Sequence, residues 1–537
     1  MGYGFNLKHN HMIVGKSGIE SNEKWQVNLL RNKVLMTGNA SVVEQFYKHW
    51  LGEFEDVYEK RAMYNAFWYN VQADNARVFF GLIKMINDAF VRMITGGGVK
   101  FKVRESGKEY SGEVDYDEEL TKRLRDILDF NEFEDKKWAM AESYQSGVGF
   151  APIKISVDED ISPHPIVEVT RPERVEVFER RGVTYGYMFK KQYEVDNNTF
   201  EVREIIEKVD QKPHVRYEVW ITSTQNPQQI PIGSLNADTF QALELQHLVN
   251  EDGEAFDDVF EDLSDLPVIL KNNTGNNPAF PQSPFGEADT QGLHTIEDAL
   301  SELMSGMVEE VRKGKIKVLI SEDLVPKDEH GQAGKFNDFN LSYEIMGKDE
   351  TENKNLIQIV QGDINSDKYI NAIGQFISYG CNIANIHPIT VGITGVESID
   401  ASQESQVERE KVSMRTREKK LQSWRRELKK LFKLLLETQD IIDSKQVGDY
   451  EIELSFGQFE NPSRESIVNV LSEAVQGNVL STLDAMKQYH GDEKSEDEVY
   501  MSYLRWKLES NVGLSQKEQA FYQEKTGEQL IVEDDAE

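Results

Sequence analysis

Cysteine is almost absent from this chain, which has one, Cys381, among 537 residues. No disulfide can form within the chain, as is typical of proteins made in a reducing compartment. The sequence has no run of about 18 apolar residues, so we expect no membrane-spanning helix. No apolar segment opens the chain, so we expect no secretory signal either. These absences indicate a water-soluble protein made inside a cell.

Positive charge is also scarce. The chain has 60 Lys and Arg against 94 Asp and Glu, a formal net charge of −34. A protein that grips nucleic acid along its outer surface needs clustered Lys and Arg to neutralise phosphates, so this balance argues against that class. Hydrophobic residues make up 39% of the chain and aromatics 10%, so a sizeable core and not disorder is expected. The length predicts roughly three to five structural units.

The motifs of common enzymes are incomplete. Residues 14–17, Val-Gly-Lys-Ser, resemble the end of a phosphate-binding loop, but Asn10 stands where that motif requires glycine. His9 and His11 lack the further Cys or His ligands of a metal nuclease. His387 lies in a loop, where a structural or solvent-facing role outweighs a catalytic one. We therefore expect no enzyme, no catalytic residue, no metal site and no cofactor.

Apolar periodicity predicts a mixed α+β fold that is mainly helical. Residues 20–95 and 117–145 have helical spacing, and residues 148–221 carry short alternating segments typical of strands. Eight carboxylates crowd the stretch 251–265, for which a solvated loop and a calcium site are the alternatives. The absence of EF-hand spacing favours the loop. The Pro, Asn and Gly of 267–292 predict a connector.

Two similar helices flank an insert. The first is expected to begin near Thr295, which forms a capping-box-like pair with Asp298, and to stop at Gly314. The second runs from about Asp367 to Ala384. Residues 315–362 between them alternate like strands. We therefore expect one long helix that leads into the inserted strands and a second that leads back from them.

A long helix is predicted at 402–439. It contains 11 Lys and Arg and 6 Glu, so its net charge is 11 − 6 = +5. Apolar residues recur every seven positions, most convincingly at Leu421, Leu428 and Leu435. Two interpretations stay open: a helix packed on this stripe with its cations in solvent, or a positive face that meets acidic neighbours, nucleic acid or both.

The order of motifs from Pro267 onward resembles that of tailed-bacteriophage portal proteins, the head-to-tail connectors. Each motif is weak alone, and the ordered set carries the resemblance, which covers 265–460 well and 75–220 loosely. The matching segments are Leu266-Pro267-Val268-Ile269, Gly286-Glu287-Ala288-Asp289, residues 296–303, 312–318 and 370–383, Thr390-Val391-Gly392, and residues 398–402 and 404–409.

The resemblance implies a ring of twelve copies at one capsid vertex, with a central channel for double-stranded DNA. DNA would enter during packaging and leave during ejection. The implied portal fold has a wing, stem, clip and crown. Its parts would be 1–290 (N-terminal region and wing), 291–313 (first stem helix), 314–363 (clip), 364–385 (second stem helix), 386–401 (tunnel loop), 402–460 (long wing helix and closing strand) and 461–537 (crown and acidic C-terminal tail).

Partners follow from the same resemblance. They are the terminase large subunit, a head-completion or adaptor protein, tail proteins, and the major capsid and scaffolding proteins, with no membrane. The protein would be a virion component at the capsid vertex, assembled in the host bacterial cytoplasm. The alternatives are another phage head-tail or baseplate protein built on a coiled coil, and an enzyme such as the packaging motor or a nuclease.

Three groups of site residues are expected. An acidic lumen would repel the duplex and keep it centred, with short tunnel loops touching it without strong charge pairing. The tunnel-loop residues are His387, Thr390, Val391, Gly392, Ile393 and Thr394. The stem–clip cations, which are otherwise a solvated turn, are Lys313, Lys315 and Lys317. The subunit-interface cations are Arg415, Arg417, Arg425 and Arg426.

Overall fold

The chain divides into two compact units, Met1–Gly457 and Gln458–Glu537. The structure is a computed structural model. It describes residues 19–50, 67–68, 77–108, 116–223, 227–249, 254–273, 277, 283–313, 317–321, 343–346, 357–360, 366–393, 403–457, 468, 471–472, 475–477, 479–490, 495–510 and 512–526.

Five helices lie in the N-terminal third of the first unit: α1 (Ile19–Met36), α2 (Ala40–Trp50), α3 (Leu82–Thr95), α4 (Glu118–Phe130) and α5 (Trp138–Val148). Residues 117–145 were predicted to be helical throughout, but a π-helical turn, Phe133–Lys137, lies between α4 and α5. The prediction of helix across 77–81 was wrong. Gly81 has a φ of 83°, and this left-handed backbone delays the start of α3 to Leu82.

Fourteen strands are described: β1 (Val99–Glu105), β2 (Phe150–Ser156), β3 (Ile166–Val169), β4 (Val175–Arg180), β5 (Val183–Val195), β6 (Asn198–Val209), β7 (Lys212–Ile221), β8 (Gln228–Ile230), β9 (Asp257–Val259), β10 (Val268–Asn272), β11 (Lys317–Ser321), β12 (Tyr343–Met346), β13 (Ile357–Val360) and β14 (Tyr450–Phe456). The largest sheet has the order β4-β5-β6-β7-β8, with β9 also paired to β7. A second sheet has the order β10-β2-β3, and β1 pairs with β14.

Two segments predicted to be irregular contribute strands. In the acid-rich stretch, β9 pairs antiparallel with β7, and His214 and Asp257 form a hydrogen bond across the pair. In the connector, β10 pairs with β2 and buries Val268 and Ile269. A loop was therefore wrong for Asp257–Val259, because cross-strand pairing overrides local composition, although these residues are exposed to solvent as predicted. A connector was wrong for β10, whose apolar residues are buried.

Two helices and a small sheet follow. Helix α7 (His294–Lys313) and helix α8 (Ser366–Ile383) pack together, and the order β12-β11-β13 forms the sheet between them in the chain. This arrangement confirms the predicted helices and strands. The capping box was wrong: α7 begins at His294, so Thr295 lies inside the helix. Asp298 instead accepts a hydrogen bond from the Tyr47 hydroxyl at 3.1 Å.

Helix α9 (Gln403–Ile442) forms the centre of the largest core, against β1, β14, α4 and α5. Its heptad residues Leu421, Leu428 and Leu435 are buried, as predicted, together with Trp424. Ring contacts join this helix to its neighbours, with Trp424 edge-on to Trp138 at 6.1 Å. A short helix, α6 (Ala237–Ala242), packs beside β5.

The second unit contains α10 (Thr482–His490), α11 (Glu496–Glu509) and α12 (Gln516–Thr526). Ser495 and Glu498 form a complete capping box at the start of α11. Among the described residues of the unit, few apolar side chains are buried, chiefly Val499 and Leu504.

Candidate functional site

The expected tunnel loop, 386–401, lies between α8 and α9, and its described part is residues 386–393. His387 caps a short 3-10 turn, Pro388–Val391, because its Nδ1 accepts a hydrogen bond from the Ile389 N–H at 3.2 Å. Gly392 ends the turn with a φ of 87°. This cap requires an unprotonated Nδ1, so His387 has a structural role in the described loop.

Three hydrogen bonds hold this loop on α9. The His387 N–H donates to Ser413 Oγ at 2.9 Å, and the Thr390 hydroxyl lies 2.8 Å from the same oxygen. The Thr416 hydroxyl donates to the Asn385 carbonyl at 2.8 Å. Val391 is 7% exposed, whereas Gly392 is exposed and Ile393 is half-buried. Thr394 lies outside the described residues. The loop is therefore a rigid shoulder on the long helix, with its free surface near Gly392.

A ladder of polar side chains joins helix α7 to the segment before α3. Glu297, Ser301 and Ser305 are spaced four residues apart, and all are buried. Glu297 accepts from the Gly81 and Ile83 N–H groups at 2.7 and 3.0 Å, and so caps α3. The serines accept from Phe80 and Val78 at 3.2 and 2.9 Å. The four-residue helix step, about 6 Å, matches two residues of extended chain, about 6.6 Å.

Asp298 lies beside this ladder in a half-buried polar pocket. Burial raises the pKa of Asp298 to about 7; the Tyr47 hydroxyl and Arg31 oppose this rise, whereas Glu297 and Glu302 add to it. Burial, assisted by Arg31, lowers the pKa of the neighbouring His294 to about 4. The carboxyl group of Asp298 therefore titrates near neutral pH.

A buried ion cluster lies where α9 meets α5 and β10. Lys420 forms ion pairs with Glu142 at 3.1 Å and with Asp289 at 2.6 Å, and both Lys420 and Glu142 are almost inaccessible to solvent. Burial opposes the charge of Lys420, but the Asp289 and Glu142 carboxylates raise its pKa, so it stays protonated. The Trp424 indole N–H donates to Glu142 at 2.6 Å.

A second lysine, Lys271, belongs to the same cluster but forms no ion pair with a carboxylate of the described residues. Its ammonium donates to the Asn272 carbonyl and to Ser423 Oγ at 2.8 and 2.9 Å, and lies 5.1 Å from the Trp424 ring. Burial lowers the pKa of Lys271 to about 8.

The predicted cations separate into different environments. Arg417 donates to the carbonyls of Met93 and Gly457 at 2.7 and 2.6 Å, so it anchors α9 within its own chain. Arg425 lies over the Phe456 ring at 5.6 Å, and Arg415 and Arg426 are exposed. Lys313 ends α7 and Lys317 begins β11, while Lys315 lies outside the described residues.

Sequence reasoning missed the polar ladder and the ion cluster. One feature of the sequence could have indicated the ladder: Glu297, Ser301 and Ser305 recur every four residues along a helix whose pattern is otherwise apolar. Another could have indicated the cluster: Lys420 lies one turn before Trp424 on the apolar stripe of α9. Among the residues that the structure describes, no group of His, Cys, Asp and Glu is arranged to hold a metal ion.

The described chain combines a paired-helix rod with an inserted sheet, a shoulder loop and a long helix built into an α+β body. The chain belongs to the family described as phage portal protein, SPP1 Gp6-like, whose sequence profile matches residues 40–510. No curated protein sequence matches the chain.

Membership of this family makes the chain a structural component of a phage virion, placed at the capsid vertex and assembled with other head proteins. Portal proteins are structural proteins rather than enzymes. None of the described helices combines the length and the apolar character that crossing a membrane requires.

Proposed function

We propose that this chain is the subunit of a dodecameric portal ring, through which double-stranded DNA enters the capsid during packaging and leaves during ejection. One observation carries the proposal: α7, the β12-β11-β13 sheet, α8, the shoulder loop and α9 follow one another in the order that the resemblance assigns to first stem helix, clip, second stem helix, tunnel loop and wing helix. The family profile spans all of them.

The proposed role of each segment follows that order. The stem is α7 and α8, and the clip, 314–363, docks the terminase large subunit during filling and a head-completion or adaptor protein afterwards. The wing is 1–290 with 402–460, and the crown is 461–537. Major capsid and scaffolding proteins are further partners of the ring. Lys313, Lys315 and Lys317 form a local basic ring at the stem–clip junction. Assembly takes place in the host bacterial cytoplasm.

The channel surface is proposed at 386–401. Two hydrogen bonds support it, one that Ser413 accepts and one that Thr416 donates, since they fix the loop as a rigid projection that a passing duplex meets without strong charge pairing. A closed ring also needs a heterologous contact between copies. Of the four predicted arginines, Arg417 is occupied within its own chain, and we propose Arg425 for that contact.

A photocrosslinking experiment tests the channel surface. A benzophenone side chain at Ile393, which is more exposed than Val391, is expected to crosslink to DNA in filled particles, because the duplex passes the loop. The matched control is the same side chain at Val183, which is 66% exposed on β5. Crosslinks at position 183 without crosslinks at position 393 would place the DNA path elsewhere.

A further inference from the structure

The exposed side of α9 carries a row of cations. Lys411, Arg415, Lys419, Arg426 and Lys429 are all exposed, at intervals of four, four, seven and three residues. These intervals keep them on one face of the helix. We name these five residues the α9 stripe. From Lys411 to Lys429 is a rise of about 27 Å along the helix axis.

Three of the five stripe cations form no ion pair within the part of the chain that the structure describes. Arg426 pairs with the adjacent Glu427 at 2.8 Å. For Arg415, Lys419 and Lys429, no ion pair with a carboxylate of the described residues occurs, although the whole chain carries 94 acidic residues. By contrast, Lys430 and Lys433, which flank the end of the stripe, pair with Asp265 at 2.7 Å and Asp449 at 2.5 Å.

The stripe lies on a different side of α9 from the shoulder loop. Ser413 and Thr416, which hold that loop, are close to the first two stripe residues in sequence, but at 3.6 residues per turn they point away from the stripe. The far end of the stripe reaches Lys429, which lines a cleft of about 800 Å³ whose other charged residues are of both signs: Arg104, Lys430, Lys433, Asp265, Glu451 and Glu453. The stripe is therefore a separate surface from the channel loop.

Composition decides which partner this surface fits. The cores of protein interfaces are enriched in aromatic residues, Met and Arg and depleted in Lys. The stripe has three lysines among five cations, and the other exposed side chains beside it include Gln422, Glu418 and Val412. Duplex DNA carries one negative charge per roughly 1.7 Å, a higher linear density than a protein surface offers, and Lys and Arg bind its phosphates without reading sequence.

We propose that the α9 stripe is a binding surface for the phosphate backbone of double-stranded DNA, distinct from the channel loop. The proposal rests on the proposed function only in that a portal subunit works in the presence of duplex DNA. The contact is independent of sequence and weak at physiological salt, since a few cations act on a chain with strong overall negative charge.

The test is the salt dependence of binding. The full chain is titrated with a fluorescent 30-base-pair duplex of arbitrary sequence between 25 and 150 mM NaCl. Each phosphate neutralised contributes about 0.9 to the slope of log K against log salt. The triple variant Arg415→Gln, Lys419→Gln, Lys429→Gln is expected to lower the magnitude of that slope by about 2–3. The control triple variant, Lys122→Gln, Arg181→Gln, Lys517→Gln, removes three exposed cations elsewhere and is expected to leave the slope unchanged.

Mass photometry of the same samples separates this proposal from the proposed function. A lower slope with the ring preserved supports the DNA surface. The proposal is overturned if the wild-type chain does not bind the duplex, if both triple variants behave alike, or if the slope falls only in samples that have lost the ring. Loss of the ring in the stripe variant alone would assign the stripe to an acidic face of a second copy.

Discussion

Replacing Lys420 by Met is expected to lower the free energy of unfolding of the first unit by about 3–5 kcal/mol, because removing one partner of a buried ion pair leaves the other charge without compensation. Glu142 has no solvent access, and Asp289 would lose its 2.6 Å contact. Denaturation followed by tryptophan fluorescence measures the effect, since Trp424 contacts Glu142 directly.

Two further variants make this result specific. Lys419→Met removes the adjacent, exposed lysine and is expected to change stability by no more than about 0.5 kcal/mol. Lys271→Met is expected to be neutral or stabilising by up to about 2 kcal/mol at pH 7. The reason is that burial disfavours the charged form of Lys271. The resulting loss of stability develops as the pH falls from the ordinary pKa of 10.5 to the folded-state pKa of about 8, and it is fully present at pH 7. A loss below about 1 kcal/mol for Lys420→Met, or equal losses for the two buried lysines, would contradict this account of the cluster.

Replacing Asp298 by Asn is expected to raise the free energy of unfolding by about 2–4 kcal/mol at pH 8, and by less than about 1 kcal/mol at pH 4.5. The folded-state pKa of about 7 lies above the ordinary value of 3.8, so the wild-type carboxyl group stabilises the fold when neutral. That contribution is lost between about pH 4 and pH 7. Asn stays neutral throughout and can still accept the hydrogen bond from Tyr47.

Denaturant unfolding of the wild type and the variant at the two pH values measures this difference. Asp126→Asn is the matched control, because Asp126 is exposed on α4 and is not among the charges that act on Asp298. It is expected to change stability by less than about 0.5 kcal/mol at both pH values. An Asp298→Asn variant with the same stability difference at pH 4.5 and pH 8 would show that Asp298 does not titrate in this range.

Local sequence patterns predicted the long helices α7, α8 and α9. The seven-residue repeat of Leu421, Leu428 and Leu435 reports directly on a buried stripe, so α9 was predictable to within a few residues. The same applies to α8, whose apolar spacing is helical. Alternation in 317–321, 343–346 and 357–360 likewise predicted the strands of the insert.

These local patterns could not predict which segments distant in sequence pair with each other. Strand β1 pairs with β14, which joins Val99 to Phe456, and no local signal specifies that partner. The polar ladder depends on backbone N–H groups near Gly81, which have no side-chain signature. In the acid-rich stretch, composition favoured a loop, yet Asp265 pairs with Lys208 and Lys430 from distant parts of the chain. Those ion pairs lower the pKa of Asp265 to about 2 against the opposing effect of burial.

The candidate site was predictable in outline and not in its chemistry. The order of elements located the loop between α8 and α9, and the net charge of α9 identified it as the basic helix. The individual roles of its cations depend on neighbours that fold against them. Arg417 is anchored by the carbonyls of Met93 and Gly457, whereas Arg415, two residues earlier, remains exposed.

Native mass spectrometry of the purified full chain, at low-micromolar concentration and near-neutral pH, tests the central claim most directly. A portal subunit is expected to give a closed ring of about twelve copies, because heterologous contacts repeat until the rotation closes. A chain that gave only monomers, or the dimers and trimers of a coiled-coil assembly, across this concentration range and in the presence of its head proteins would contradict the account.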